Sequence, residues 1–329
     1  MSERRVIGRL LTVPALVLAA VASLTLGALV WCAITAHSDV GLVPPEHGRR
    51  VLSRELPGFP GRRVHQIRLQ SQALGDMTFD LSLPQPLPSD RLPVVLLVGG
   101  RQSGAALLDM LGPPGNNAVA IFEWPTALQM ARGFGFWRLF FTLPRMIPTL
   151  PGQISTVMDW LVTQPWAAPR RLSLLGFSLG AEAVPAAADL AASAGHPAGW
   201  MVLAYGGAPL SVVMREETRI RPTWFRHLLA NLLAPVLKPC EPIPHLRRLA
   251  GPFLVLEGRD DRIIPASARA ALWDAVPEPK VRLLFEGDHF RLHASDSAFV
   301  QRIVAASATW LVAQHAINPF GGSAARPTP

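Results

Sequence analysis

An α/β architecture, a mostly parallel doubly wound sheet with helices over both faces, is what three features of this 329-residue sequence require. Segments of strand character alternate with segments of helix character over most of the length, the pattern of a sheet whose strands are joined by helical crossovers. Leu92-Pro93-Val94-Val95-Leu96-Leu97-Val98 is a continuous aliphatic run, as expected of a strand buried on both faces. Half of the residues are hydrophobic and 16% are charged, which supplies a large core and excludes a disordered chain.

The elements follow in order. Residues 63–69 and 77–83 alternate polar and apolar side chains with period two, predicting antiparallel strands joined by a turn at Gly75-Asp76. After the strand at 92–98 and its Gly99-Gly100, a short helix is expected over 103–111 and a buried strand over 118–122. Helix at 154–162, strand at 171–177 and a small-residue helix at 179–194 come next, with Pro185 expected to kink that helix or tighten its first turn. Strands at 199–205, 252–257 and 281–286, a helix at 266–276 and a final helix at 295–316 complete the set, and no internal repeat is present.

The N-terminus is of a different kind. Residues 10–36 contain no charged side chain and follow Arg4, Arg5 and Arg9, a run long enough to span a bilayer. The basic flank places the N-terminus in the cytoplasm and all that follows on the far side, periplasmic or extracellular. A cleaved signal peptide is the alternative, although its apolar region is usually only about 7–15 residues and Trp31-Cys32-Ala33-Ile34-Thr35-Ala36 lacks a small-x-small cleavage pattern. The expected organisation is an anchor over 1–36, a Pro-, Gly- and Arg-rich linker over 37–62, a catalytic domain over 63–317 and a disordered tail over 318–329. Only Cys32 and Cys240 exist, the first inside the apolar run, so no disulfide is expected.

A formal charge of +8 raises the question of anionic partners. Lysine occurs only at 238 and 280, the other cations are arginine, and no zinc-finger spacing, RNA-binding signature or dense basic run is present, which argues against nucleic acid. Two stretches stand outside the strand and helix alternation. Residues 124–150 hold Phe134, Phe136, Trp137, Phe140 and Phe141 among Arg132, Arg138 and Arg145, which reads as core, as an acyl-pocket lining or as a membrane-facing surface. Residues 206–250, mixed in charge and containing proline, form an insertion between two strands.

The strand at 171–177 runs into Gly176-Phe177-Ser178-Leu179-Gly180 and then into a helix. In that setting a Gly-x-Ser-x-Gly pattern makes a sharp turn, a nucleophile elbow, that lifts the serine hydroxyl clear of the sheet. A hydroxyl is a weak nucleophile without a positioned base, so a carboxylate and then a histidine are needed downstream. Both follow in that order, in Gly258-Arg259-Asp260-Asp261-Arg262-Ile263-Ile264-Pro265 and Gly287-Asp288-His289-Phe290.

With these motifs the chain resembles the α/β-hydrolase superfamily over about 92–316. In that superfamily acid loops often read Gly-x-x-Asp with proline four residues later, and base loops often read Gly-x-His. The resemblance implies a catalytic triad of Ser178 as nucleophile, His289 as general base and Asp261 as the group that orients it. Asp260 remains the alternative acid, and His293 the alternative base or half of an i, i+4 metal pair, for which no third ligand stands at a supporting spacing. It also implies an oxyanion hole from the backbone N–H groups of Leu179 and Arg101, although Gly99 stands where relatives often carry histidine. The run Ser178-Leu179-Gly180-Ala181-Glu182 is similar to dienelactone-hydrolase-like and acyl-thioesterase-like members, with Glu182 equally placed to favour the helix dipole. Residues 206–250 lie where members insert a cap. The activity so implied is hydrolysis of an ester or related acyl bond in a small or lipid-like substrate, with no cofactor and no metal. An acyltransferase, or a non-catalytic membrane-tethered binding protein on the same fold, are the alternatives.

Overall fold

The computed structural model describes residues 41–58, 60–100, 114–129, 142–216, 222–289 and 297–320, together with the isolated positions Ser23, Gly27 and Val30. Apart from those three positions the apolar run at 10–36 lies outside them, as do the expected helix at 103–111 and the aromatic and arginine stretch at 130–141. Among the described residues no helix is long and apolar enough to cross a membrane.

Three strands open the chain: β1 (Arg49–Leu56), β2 (Arg62–Ser71) and β3 (Gly75–Pro84). After β4 (Leu92–Val98) and β5 (Ala118–Glu123) come α1 (Leu150–Val162), β6 (Ala167–Phe177), α2 (Leu179–Ser193) and β7 (Trp200–Ala204). The insertion contributes α3 (Leu210–Glu216), α4 (Thr223–Leu237) and α5 (Pro242–Leu246). The chain ends through β8 (Phe253–Gly258), α6 (Ala266–Ala275), β9 (Lys280–Phe285) and α7 (Ser297–Ala313). Among the described residues one sheet takes all nine strands, in the order β1-β2-β3-β5-β4-β6-β7-β8-β9. β1, β2, β3 and β5 pair antiparallel, and from β5 to β9 every pair is parallel.

Side chains alternate across the parallel strands, and each face has its own cover. Leu92, Val94, Leu96 and Val98 of β4 meet Ile154, Val157 and Leu161 of α1 and Val184 and Ala187 of α2 on one face. Val95 and Leu97 meet Val300, Ile303, Val304 and Leu311 of α7 on the other. All seven residues of β4 are buried, as its unbroken aliphatic run requires. Burial of each large side chain contributes roughly 1.5–3 kcal/mol, so the centre of the sheet is the stiffest part of the fold. The helix α2 runs on through Pro185.

The 37–62 stretch, expected as a linker, departs from that reading. Residues 43–48 lie along α1: Val43 N–H donates to the Pro148 carbonyl at 3.0 Å, and Glu46 N–H to Thr156 Oγ1 at 3.2 Å. The His47 and His196 rings each meet one oxygen of Asp159, at 2.8 and 2.9 Å. A methyl group on Gly152 would stand 2.3 Å from the Val43 carbonyl oxygen, so α1 needs glycine where the strap crosses it. β1 then adds an edge strand. It buries almost nothing, which is why its composition reads as loop. Arg62, at the expected end of the linker, is buried. Its guanidinium donates to Ser82 Oγ and to the carbonyls of Ser82, Asn117 and Gly115 at 2.6–2.8 Å, fixing β2 to β3 and to the approach to β5.

Two smaller expectations also shift. The β2–β3 turn falls on residues 72–74, and Gly75 opens β3 at φ +74° opposite Ser71. The expected disordered tail begins too early, because Asn318 is fastened to Asn117 in both directions, at 2.8 and 2.9 Å, and Phe320 packs on the α7 side of the sheet. Residues 321–329 lie outside the described set.

Asp80 is fully buried on β3, and its Cα partner Ile121 lies two residues from Glu123 on β5. Burial pushes its carboxyl up from 3.8 to about 7, and the charge of Glu123 adds to the shift. The folded state therefore holds a proton that the unfolded chain releases near pH 4. Stability falls as pH rises from there through about 7 and stays low above it. Asp80→Asn is expected to flatten that decline and raise stability at pH 8 by about 2–4 kcal/mol relative to its effect at pH 4. Urea midpoints measured across this range for both proteins check it, and parallel pH profiles would refute it.

Candidate active site

β6, which lies between β4 and β7, is the strand from which the site is built. It ends at Phe177, α2 begins at Leu179, and Ser178 makes the whole turn between them at φ +54°, ψ −119°. A non-glycine residue there costs on the order of 1–3 kcal/mol, and the neighbouring contacts hold it in place. Ser178 N–H donates to the Ala204 carbonyl of β7, and the Ser178 carbonyl accepts from Ala181 N–H, each at 2.8 Å. The flanking glycines are required by space. A methyl group on Gly176 would stand 2.6 Å from the Gly180 carbonyl oxygen, and one on Gly180 would stand 1.8 Å from the carbonyl oxygen of Val98. Helix α2 thus comes into backbone contact with β4, and that approach throws the Ser178 side chain up beyond the strand ends.

Two loops meet it there. Ser178 Oγ lies 2.9 Å from His289 Nε2, and His289 Nδ1 lies 2.9 Å from Asp261 Oδ2. Of the two adjacent acids, Asp261 is buried and faces the imidazole, while Asp260 is exposed in the turn. The other carboxylate oxygen of Asp261 accepts from Ile263 N–H and Ile264 N–H at 2.8 and 2.9 Å, which fixes its orientation. A carboxylate only accepts, so Nδ1 carries the proton and Nε2 of the neutral ring is the acceptor facing the Ser178 hydroxyl. Leu179 is the first residue of α2, and its N–H lies at the helix N-terminus directly after Ser178. Gly100 approaches Ser178 from the end of β4: a methyl group on it would stand 3.9 Å from Ser178 Cβ. Arg101 and His293 lie outside the described residues.

No family model matches the sequence, and neither does any curated protein. Solved structures do match. An acetyl xylan esterase from Paenibacillus sp. R4 superposes with a TM-score of 0.58 at 16% identity, covering 85% of this chain and 93% of its own. Acetyl xylan esterase 1 from Thermoanaerobacterium sp. JW/SL YS485 gives 0.54 at 10% identity, over 84% and 92%. An S-formylglutathione hydrolase from Agrobacterium tumefaciens gives 0.52 at 14%, over 80% and 98%. The chain has the α/β-hydrolase fold.

Within that hydrolase fold, residues that the motifs did not single out complete the site. Tyr205, the only tyrosine in the chain, follows β7 at φ +58° and is fully buried. Its ring meets the His289 ring edge-on, centroids 5.6 Å apart, and a methyl group on Gly258 would stand 2.8 Å from the Tyr205 ring. One aromatic ring thus supports the histidine and the start of the acid loop together. Burial raises the Tyr205 hydroxyl above its ordinary value, and the Asp261 charge raises it further. Asp288, an exposed acid in the histidine motif, braces the two loops: its Oδ1 accepts from Arg262 N–H at 2.9 Å and from His289 N–H at 2.7 Å. Burial pushes its carboxyl up, but those two donors, together with the charge of Arg262, leave it below the ordinary value.

Glu182 stands in the first turn of α2, where the helix-dipole reading places it, but its surroundings act the other way. Burial pushes its carboxyl up to about 8, and the nearby charge of Glu241 adds to that, whereas a helix N-terminus alone would lower it. Glu241 belongs to the insertion and accepts from Leu210 N–H at 2.9 Å, and its charge reaches Glu182 of α2. The inner residues of α4, Leu229, Leu233 and Val236, join the core on the α1–α2 face. His245 of α5 holds Asp189 of α2 at 2.7 Å. The insertion at 206–250 is thus packed onto the body.

The turn itself makes a direct forecast. Gly180→Ala drives a methyl group into the β4 backbone and is expected to abolish folding or to cost more than about 3 kcal/mol. Gly75→Ala, where the added methyl meets open space at a positive φ, is expected to cost only about 1 kcal/mol. Denaturant melts of the two variants check the contrast, and equal costs would contradict the close approach of α2 to β4.

Proposed function

We propose that the protein is a serine hydrolase that cleaves an ester or related acyl bond through an acyl-enzyme intermediate. The observation that carries this reading is the unbroken hydrogen-bonded series Ser178 Oγ, His289 and Asp261, at 2.9 and 2.9 Å, on a turn that exposes the hydroxyl. Esterase and hydrolase names among the structural neighbours point to the same class of reaction.

In this mechanism Ser178 Oγ attacks the acyl carbon while its proton passes to His289 Nε2. The negative charge moves to the former carbonyl oxygen, which takes hydrogen bonds from the backbone N–H groups of Leu179 and Arg101. The bond to the leaving group breaks as Nε2 returns the proton to it. Water then attacks the acyl-enzyme, giving one proton to Nε2, and collapse releases the carboxylic acid and restores the Ser178 hydroxyl. Asp261 keeps Nδ1 protonated and stabilises the imidazolium formed in each half-reaction. Residues 10–36 tether the enzyme to a membrane with its catalytic domain on the periplasmic or extracellular side, and the insertion at 206–250 acts as a cap that selects the acyl substrate.

A panel of p-nitrophenyl esters of increasing chain length tests the assignment. Ser178→Ala is expected to lower kcat on every active ester by at least about 1,000-fold, and Asp261→Asn by roughly 1,000- to 10,000-fold with KM little changed. Asp260→Asn is expected to retain wild-type turnover. Wild-type rates from Ser178→Ala would sink the mechanism, and an acyl ester formed from an added alcohol in place of free acid would make the protein an acyltransferase.

A further inference from the structure

Two glycines follow β4, so the backbone that leaves this strand beside the nucleophile has no side chain of its own to hold it. It must nevertheless be fixed, because a backbone donor stabilises an oxyanion only when it is already aimed at the place where the charge develops. The neighbouring strand β5 supplies the hold. Trp124 directly follows β5, is buried, and donates its indole Nε1–H to the Gly99 carbonyl at 2.8 Å.

Sheet pairing does not dictate this bond. The parallel register of β4 and β5 ends at Val98 and Phe122, and Gly99 and Trp124 both lie past it. Nor does packing alone account for the residue. Any large apolar side chain would fill the space, but an indole also carries a donor, which when buried needs an acceptor.

The indole is itself fixed. Its ring stands edge-on to Phe122, centroids 5.9 Å apart, and the Trp124 carbonyl accepts from Gln129 Nε2 at 2.6 Å. The Gly99 carbonyl also lies against α2, where a methyl group on Gly180 would stand 3.0 Å from its oxygen. A trans peptide is planar, so the Gly99 C=O and the Gly100 N–H point in opposite directions and turn together. Holding the carbonyl therefore sets the N–H and the course of the chain past Gly100. That residue borders the nucleophile, since a methyl group on it would stand 3.9 Å from Ser178 Cβ.

We propose that Trp124 is a positioning residue of the reaction: its indole N–H, by holding the peptide between Gly99 and Gly100, sets the oxyanion-binding backbone against Ser178. The inference rests on the serine-hydrolase reading above and deepens it. Trp124 takes no part in bond-making and acts through one hydrogen bond on the peptide beside the nucleophile.

Trp124→Phe keeps an aromatic ring and removes the N–H. Trp160→Phe makes the same chemical change on α1, where the indole packs against Phe79, and serves as the control. Both are made in the full chain. On the ester panel, kcat per titrated active site is expected to fall at least about tenfold in Trp124→Phe with KM within about twofold, and to stay near wild type in Trp160→Phe. A trifluoromethyl ketone tests the same point without turnover: its carbonyl carbon bonds to Ser178 Oγ, the hydroxyl proton passes to His289, and the charge settles on the oxygen. Fluorine NMR is expected to show this adduct weakened by the factor that kcat loses. Gln129→Leu, at a half-buried position, frees the Trp124 carbonyl and is expected to lower kcat about two- to fivefold.

Unchanged kcat and adduct affinity in Trp124→Phe overturn the proposal, as does an equal loss in Trp160→Phe. A raised KM with unchanged kcat overturns it too, since a side chain that merely lined the substrate pocket would behave so. Circular dichroism checks folding, and if Trp124→Phe does not fold, a silent Gln129→Leu is decisive against the proposal. A wild-type chain that turns over no ester yet forms the adduct sinks the hydrolase reading alone, and the role of Trp124 is then decided by the adduct. Absence of the adduct in wild type overturns both.

Discussion

The contact on which this molecule turns is the one between two backbones, where Gly180 of α2 lies against the Val98 carbonyl of β4. A strand that must become a helix within one residue can do so only if the helix starts almost on top of the neighbouring strand. That demand removes every side chain from position 180, forces Ser178 to a positive φ, and points the only remaining side chain of the turn away from the sheet. The strain is held by the stiffest part of the core, since β4 is buried along its length and β6 from Leu172 to Phe177, and the two are tied to each other in parallel register. Reactive geometry and core packing are therefore one constraint, stated once in the backbone.

The acid and histidine loops are fastened to each other before either is fastened to the serine. Asp288 accepts from backbone on both loops, Asp261 takes two N–H groups of its own loop, and the Tyr205 ring fills the space between Gly258 and His289. Side chains that carry no part of the proposed bond-making thus set where the imidazole sits. This matters because an imidazole misplaced by about 1 Å loses much of its value as a base.

How far the sequence could be read depended on how much each residue buries. The parallel strands β4 to β8 bury both faces, so their aliphatic runs were plain, and the boundaries moved by only a few residues. β1 buries almost nothing and therefore looked like linker, although hydrogen bonds and the His47, Asp159 and His196 cluster show the segment before it to be part of the body. Ser178 and His289 could be found because glycines mark the turns that present them. The Gly-x-x-Asp pattern with its later proline favoured Asp261 and left Asp260 as the alternative, since successive residues in a turn point opposite ways and the fold decides which is inward. Tyr205 left no periodic signal: it sits one residue past a strand in a conformation that sequence propensity does not foretell. Its rarity, one tyrosine in 329 residues, was the available clue.

The edge strand β9 joins these themes. It ends at Phe285, and the loop that carries Asp288 and His289 begins directly after it. Phe285 packs edge-on against Phe299 of α7, and Phe299 against Tyr205, so an aromatic chain runs from the end of the exposed strand to the ring that supports the histidine. A strand with one free edge is the least restrained part of a sheet, and its last residue is the one from which the histidine loop departs.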